Sequence, residues 1–159
     1  MNQIKSGTNI VNENTVDMNA VYRSLVTPYQ KIYTDNNSGN SLYIGNQTTA
    51  GWQPYFCDEE IANTKKSLMN IGIKAIVCCA DNIEIFPNDF KYLQIPMENN
   101  PVFPIRESLI NAYNFISQNL LNGSVFIHCN AGVTRSASAV IFYDAIFLHR
   151  QIIVYYDNK

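Results

Sequence analysis

No run in this sequence approaches the roughly 18 uninterrupted apolar residues that a membrane span requires. The amino terminus, MNQIKSGTNIVNENTVD, has no apolar core behind a basic end of the kind a secretory signal carries. A cytoplasmic protein is therefore expected, with the nucleus as the other compartment and no membrane partner. Basic excess is missing too: 11 Lys and Arg against 13 Asp and Glu leave a formal net charge of -2. That balance offers no footprint to nucleic acid. The cysteines lack pairing, because Cys57, Cys78, Cys79 and Cys129 form no CxxC motif and no metal-ligand spacing. Free thiols are expected, and neither a disulfide framework nor a metal site is indicated.

What is present is a 159-residue chain with a 47% hydrophobic fraction, enough for one domain with a real core. Residues 1–40 are rich in Asn, Ser and Thr and read as a polar amino-terminal extension, with a short helix expected between Met18 and Ile32. From 41 to 159 the texture is that of a folded domain. SLYIGN reads as a short strand ending at a Gly-Asn turn, and residues 57–70 read as a helix opened by Asp58, Glu59 and Glu60 and ended by Gly72. IKAIVCC has the continuous apolar character of a strand buried on both faces, and FKYLQIP alternates like another. Pro104 opens a helix with Leu109, Ile110, Tyr113, Ile116 and Leu120 along one face, closed at Asn122-Gly123. SVFIH is a further buried strand, followed by a helix from Ser136 to about Leu148. This order predicts an α/β fold: a largely parallel central sheet flanked by helices.

The chemistry concentrates in SVFIHCNAGVTRSASAV, Ser124 to Val140. Cys129 stands where a buried strand ends and a helix begins, so the loop Asn130, Ala131, Gly132, Val133, Thr134, Arg135 can curl its backbone N–H groups around one point before the helix N-terminus. A thiol there is favoured as thiolate, and becomes a nucleophile near neutral pH. Gly132 permits the tight path, and the planar Arg135 guanidinium can grip two phosphate oxygens. The Ser136 hydroxyl can stabilise a departing thiolate. His128 is adjacent to Cys129 on a strand and so points to the opposite face; its expected role is to brace the loop by hydrogen bonding rather than to act as a base. A buried cysteine after an apolar strand is usually packing, but His, Cys, Gly and Arg at these offsets together favour an anion cradle.

HCNAGVTRS resembles the HCxxGxxR(S/T) signature of cysteine-dependent protein phosphatases, and AGVTRSAS is most similar to the small dual-specificity phosphatases. SLYIGN, GIKAIVCCA, YLQIPMENNP, the 104–121 helix and ASAVIFY follow that family's order, so the resemblance covers about residues 41–146. It implies a cysteine-phosphatase fold, a phosphorylated protein as substrate, and hydrolysis through a phosphocysteine on Cys129. Arg135 and the loop amides would stabilise the transferring phosphoryl group, without metal or cofactor. Cys79, at the end of its strand, reads first as a core cysteine; the resemblance adds a candidate role as redox partner for the nucleophile.

The family places its general acid, an Asp, in wording like IPVEDNP, whereas this chain reads IPMENNP and has Asn99 at that position. Loss of a general acid costs about 10²–10⁴ in rate, so aryl phosphates such as phosphotyrosine are favoured over phosphoserine or phosphothreonine. Glu98 is the candidate substitute acid. The alternative function is a phosphoprotein-binding pseudophosphatase with weak turnover. The family continues beyond the signature helix with one or two more helices, whereas this chain ends AIFLHRQIIVYYDNK, so shortened carboxy-terminal helices are expected.

Overall fold

The computed structural model describes residues 29–52, 57–81, 84–98, 100 and 102–157. Five strands and three helices occur among them: β1 Tyr29–Thr34, β2 Ser41–Asn46, α1 Asp58–Asn70, β3 Ile73–Cys78, β4 Lys91–Gln94, α2 Ile105–Leu120, β5 Ser124–Cys129 and α3 Arg135–Asp157. The strands form one sheet in the order β1-β2-β5-β3-β4. β5 is central, parallel to β2 on one side and to β3 on the other, and β3 is parallel to β4. β1 is antiparallel to β2 at the edge. The largely parallel α/β layer fold expected from the order of elements is what the chain adopts.

Strand parity divides the core. Val125, Ile127 and Cys129 face the layer made by α2 and α3, with Ala112, Ile116, Leu120, Val140 and Tyr143 among the side chains packed there. Phe126 faces the other way, onto Leu68 of α1 and onto Phe86 and Phe90. Every residue of β5 is buried, as a strand covered on both faces requires, so the residue that ends it is held on a rigid element. Gly72, at φ 80°, turns α1 into β3 in a backbone conformation that side chains resist.

Three details differ from the sequence reading. Tyr29–Thr34, placed with the polar extension and in part within its expected helix, is a strand; the register shifts between Lys31 and Tyr33, and with Ile32 as the extra residue the neighbours Ile32 and Tyr33 are both buried. The remainder of the expected helix, 18–28, lies outside the described residues. On α2 the buried face runs through Ala112, Tyr113, Ile116 and Leu120, while Ile110 is 38% exposed at the stripe's edge. Finally, α3 continues past Leu148 to Asp157, since no Gly or Pro interrupts that stretch. No helix among the described residues is long and apolar enough to cross a membrane.

Candidate active site

β5 delivers Cys129 to the carboxyl end of the parallel strands, and the loop that follows turns directly into α3. The thiol is 2% exposed. Burial alone would push its pKa up, but that effect is outweighed by hydrogen bonds to the sulfur from the Ser136 hydroxyl and from the backbone of Ser136, Gly132 and Val133. The net result is a thiol below its ordinary value. The Ser136 Oγ lies 3.3 Å from the Cys129 Sγ in a fully buried contact. These donors form a cradle for negative charge at a helix N-terminus.

The cradle's shape depends on two glycines. Gly132 has φ 74°, and a Cβ there would stand 2.7 Å from the Gly45 carbonyl oxygen at the end of β2. The loop is thus pressed against β2, and the Gln47 N–H donates to the Asn130 carbonyl at 3.2 Å to hold it there. Asn130, Ala131, Val133 and Thr134 are exposed along the mouth. The Thr134 carbonyl accepts from the Ser138 N–H and hydroxyl, each at 2.9 Å, which closes the first turn of α3.

Arg135 is half-buried, and its Nη1 donates to the Met97 carbonyl at 3.1 Å. That contact ties the guanidinium to the segment after β4. Met97 is buried and Glu98 exposed. A depression of about 280 Å³ beside the cradle is lined by Met97, Glu98, Asn100, Ile105, Thr134, Arg135 and Ser138. Glu98 and Arg135 therefore border one space, whereas Asn99 lies outside the described residues.

His128 points away from Cys129, as strand parity requires, and its ring stacks on Phe126 with centroids 5.8 Å apart. Burial pulls its pKa down to about 4, so the imidazole is neutral. The loop-bracing hydrogen bond expected of this side chain is not made by Nδ1, which has no hydrogen-bond partner among the described residues; the Cys129 backbone acts on the ring against burial without offsetting it, and the His128 carbonyl accepts from the Cys79 N–H at 2.8 Å. Burial, and next the negative charge of Cys129, push the Cys79 thiol up. The two sulfurs are thus electrostatic neighbours in the core. Sequence reasoning missed the Met97 carbonyl and the Gly45 approach; the Gly-Asn turn ending SLYIGN was the available signal for the second.

Comparison with known proteins shows what the chain is similar to. Residues 55–144 match the family model described as dual specificity phosphatase, catalytic domain. A probable dual specificity protein phosphatase of Dictyostelium discoideum is 31% identical over 128 residues, covering 75% of this chain and 53% of that protein. The serine/threonine/tyrosine-interacting protein of Mus musculus is 41% identical over 83 residues, covering 48% of this chain and 37% of that protein. The crystal structure of the human tyrosine phosphatase-like serine/threonine/tyrosine-interacting protein superposes with a TM-score of 0.52 at 31% identity, covering 64% of this chain and 66% of that one. The chain thus spans about half or less of the length of these two curated relatives. With a family model matching more than half of its residues, the chain belongs to the dual-specificity phosphatase family.

Proposed function

We propose that the domain is a protein phosphatase that hydrolyses phosphotyrosine through a phosphocysteine on Cys129, with phosphoserine and phosphothreonine as poorer substrates. The observation that carries this reading is the placement of the thiol, buried at the end of β5 with the Ser136 hydroxyl 3.3 Å from its sulfur and with the backbone of Ser136, Gly132 and Val133 favouring its charged form. The Cys129 Sγ attacks phosphorus, a P–S bond forms, and the bond from phosphorus to the substrate oxygen breaks. Arg135 and the amides of Asn130 to Arg135 hold the three remaining phosphoryl oxygens. Water then attacks phosphorus, the P–S bond breaks, and the sulfur departs as a thiolate stabilised by the Ser136 hydroxyl. His128, neutral and on the opposite face, takes no proton in this scheme and supports the loop by packing.

The leaving oxygen needs a proton most when it is alkyl and least when it is phenolic. Asn99 cannot supply one, so the proposal assigns Glu98, which borders the same depression as Arg135, as the group that protonates demanding leaving groups. A second reading is favoured by Asn99 and by the relatives named as interacting proteins: a module that captures phosphoproteins and hydrolyses them slowly. Phosphate release from matched phosphotyrosine and phosphothreonine peptides, with Cys129→Ser as blank, separates the two. The first reading expects many turnovers on phosphotyrosine, abolished in Cys129→Ser and reduced in Glu98→Gln on phosphothreonine. Peptide binding without release above the blank would replace it with the second.

A further inference from the structure

A second concave site lies at the opposite end of the sheet from Cys129. Asp35 follows the last residue of β1, which pairs with Ser41 at the start of β2, while Leu120 and Leu121 lie just before β5 begins. Between them is a pocket of about 250 Å³ whose lining includes Asp35, Tyr113, Ser117, Leu121, Tyr143 and Phe147. Its walls are aromatic. Tyr143 lies 5.4 Å from Tyr113 and 6.3 Å from Phe147 by ring centroids, and Tyr33 lies behind, 5.3 Å from Phe147.

Its rim is anionic. The Asp35 carboxylate accepts from the Ser38 N–H at 2.8 Å, the Ser38 hydroxyl at 2.7 Å and the Tyr33 hydroxyl at 3.3 Å. Partial burial would raise its pKa, but these bonds outweigh that and hold it below the usual carboxylate range. These donors, and the Asn37 backbone that also acts on the carboxylate, are neutral, and among the described residues no Lys or Arg pairs with it. Aromatic faces beside a carboxylate whose donors among the described residues are all neutral select a cation with an apolar stem. The volume falls below the roughly 300–1,000 Å³ typical of small-molecule sites, which suits one side chain.

We propose that this pocket is a docking site for a basic side chain, Arg ahead of Lys, presented by a protein partner at a distance from the phosphate cradle. Arg is preferred because its planar guanidinium stacks on rings while donating to a carboxylate. Leu121, 70% exposed at the rim, offers contact to an apolar residue flanking the arginine.

The test is a titration of the full chain, followed by amide and ring chemical shifts, with acetyl-Leu-Arg-Leu-amide against the same tripeptide carrying norleucine in place of arginine. The expected result is saturable shifts at Asp35, Ser117, Leu121, Tyr143 and Phe147 with the arginine peptide alone. Binding should be about three- to tenfold weaker in Asp35→Asn and in Leu121→Lys, with phosphate release unchanged in both. Leu121→Lys alters an exposed side chain, so it reports even where Asp35→Asn disturbs the turn. Equal shifts from the norleucine peptide, or arginine binding that survives both substitutions, would overturn the proposal. Nuclear Overhauser contacts in the free protein from residues before Tyr29 to the Tyr143 ring would do the same, by showing that the chain fills the pocket itself.

Discussion

Ser136→Ala probes how the buried sulfur is held as an anion. The substitution removes one donor, 3.3 Å from the Cys129 sulfur, and leaves the backbone donors of Gly132, Val133 and Ser136 in place. Ser136 is fully buried and its hydroxyl donates to that sulfur, so Ala strands no other partner and leaves little space. A hydrogen bond to a charged acceptor contributes about 1.5–3 kcal/mol. Sulfur is a weak acceptor, so the low end applies, and the Cys129 pKa should rise by about one unit. Below that pKa the thiolate fraction falls about tenfold. The more basic thiolate is also more nucleophilic, with a Brønsted coefficient of about 0.4–0.5, so alkylation should slow by only about threefold. The assay is the pH profile of iodoacetamide modification of Cys129, read by mass spectrometry in a Cys57→Ser background that removes the exposed thiol. A profile whose midpoint stays in place, or moves to lower pH, refutes the argument that the hydroxyl holds the thiolate.

Other outcomes follow from the same geometry. Gly132→Ala forces a side chain into φ 74° and onto the Gly45 carbonyl, so it should abolish phosphate release and cost at least about 2 kcal/mol in urea unfolding. His128, at about pH 4 in the folded chain against 6.5 for the free side chain, takes up its proton first in the unfolded state. Stability should therefore fall as the pH drops from 6.5 to 4, by about 3 kcal/mol in all at about 1.36 kcal/mol per pKa unit, with no further loss from this group below 4. In His128→Asn the urea midpoint should lose that part of its pH dependence. Cys79 is buried and its thiol is pushed up by burial, so as a core cysteine it should stay reduced under brief peroxide treatment that oxidises Cys129; a Cys79–Cys129 disulfide found by peptide mapping and reversed by dithiothreitol would show a redox partner instead.

The parallel strands were legible because IKAIVCC and SVFIH are apolar runs bounded by turn residues, and a strand covered on both faces needs that composition. β1 was not, because an edge strand with two buried residues in six carries little pattern and sits beside an Asn-rich stretch. The extent of α3 was missed for a different reason: the β-branched residues after Leu148 weaken helix propensity without breaking the helix. Within the site, Cys129, Gly132, Arg135 and Ser136 fall in one short segment, and the sequence spacing fixes their juxtaposition. The Met97 carbonyl that holds Arg135, and the Gly45 backbone that shapes the loop, act through main-chain atoms brought in from the segment after β4 and from β2. Such groups are the same in every residue, so no side-chain pattern announces them. The pocket beside Asp35 draws on the turn after β1, on α2 and on α3 together and was equally invisible.

The most direct test of the central claim is steady-state phosphate release from a phosphotyrosine peptide by the chain as it stands, by Asn99→Asp and by Cys129→Ser. Release by the unaltered chain over many turnovers, absent in Cys129→Ser, is the predicted result. A chain no faster than Cys129→Ser, with turnover restored by Asn99→Asp, would show a sound cradle without a working acid and contradict the assignment as an active phosphatase.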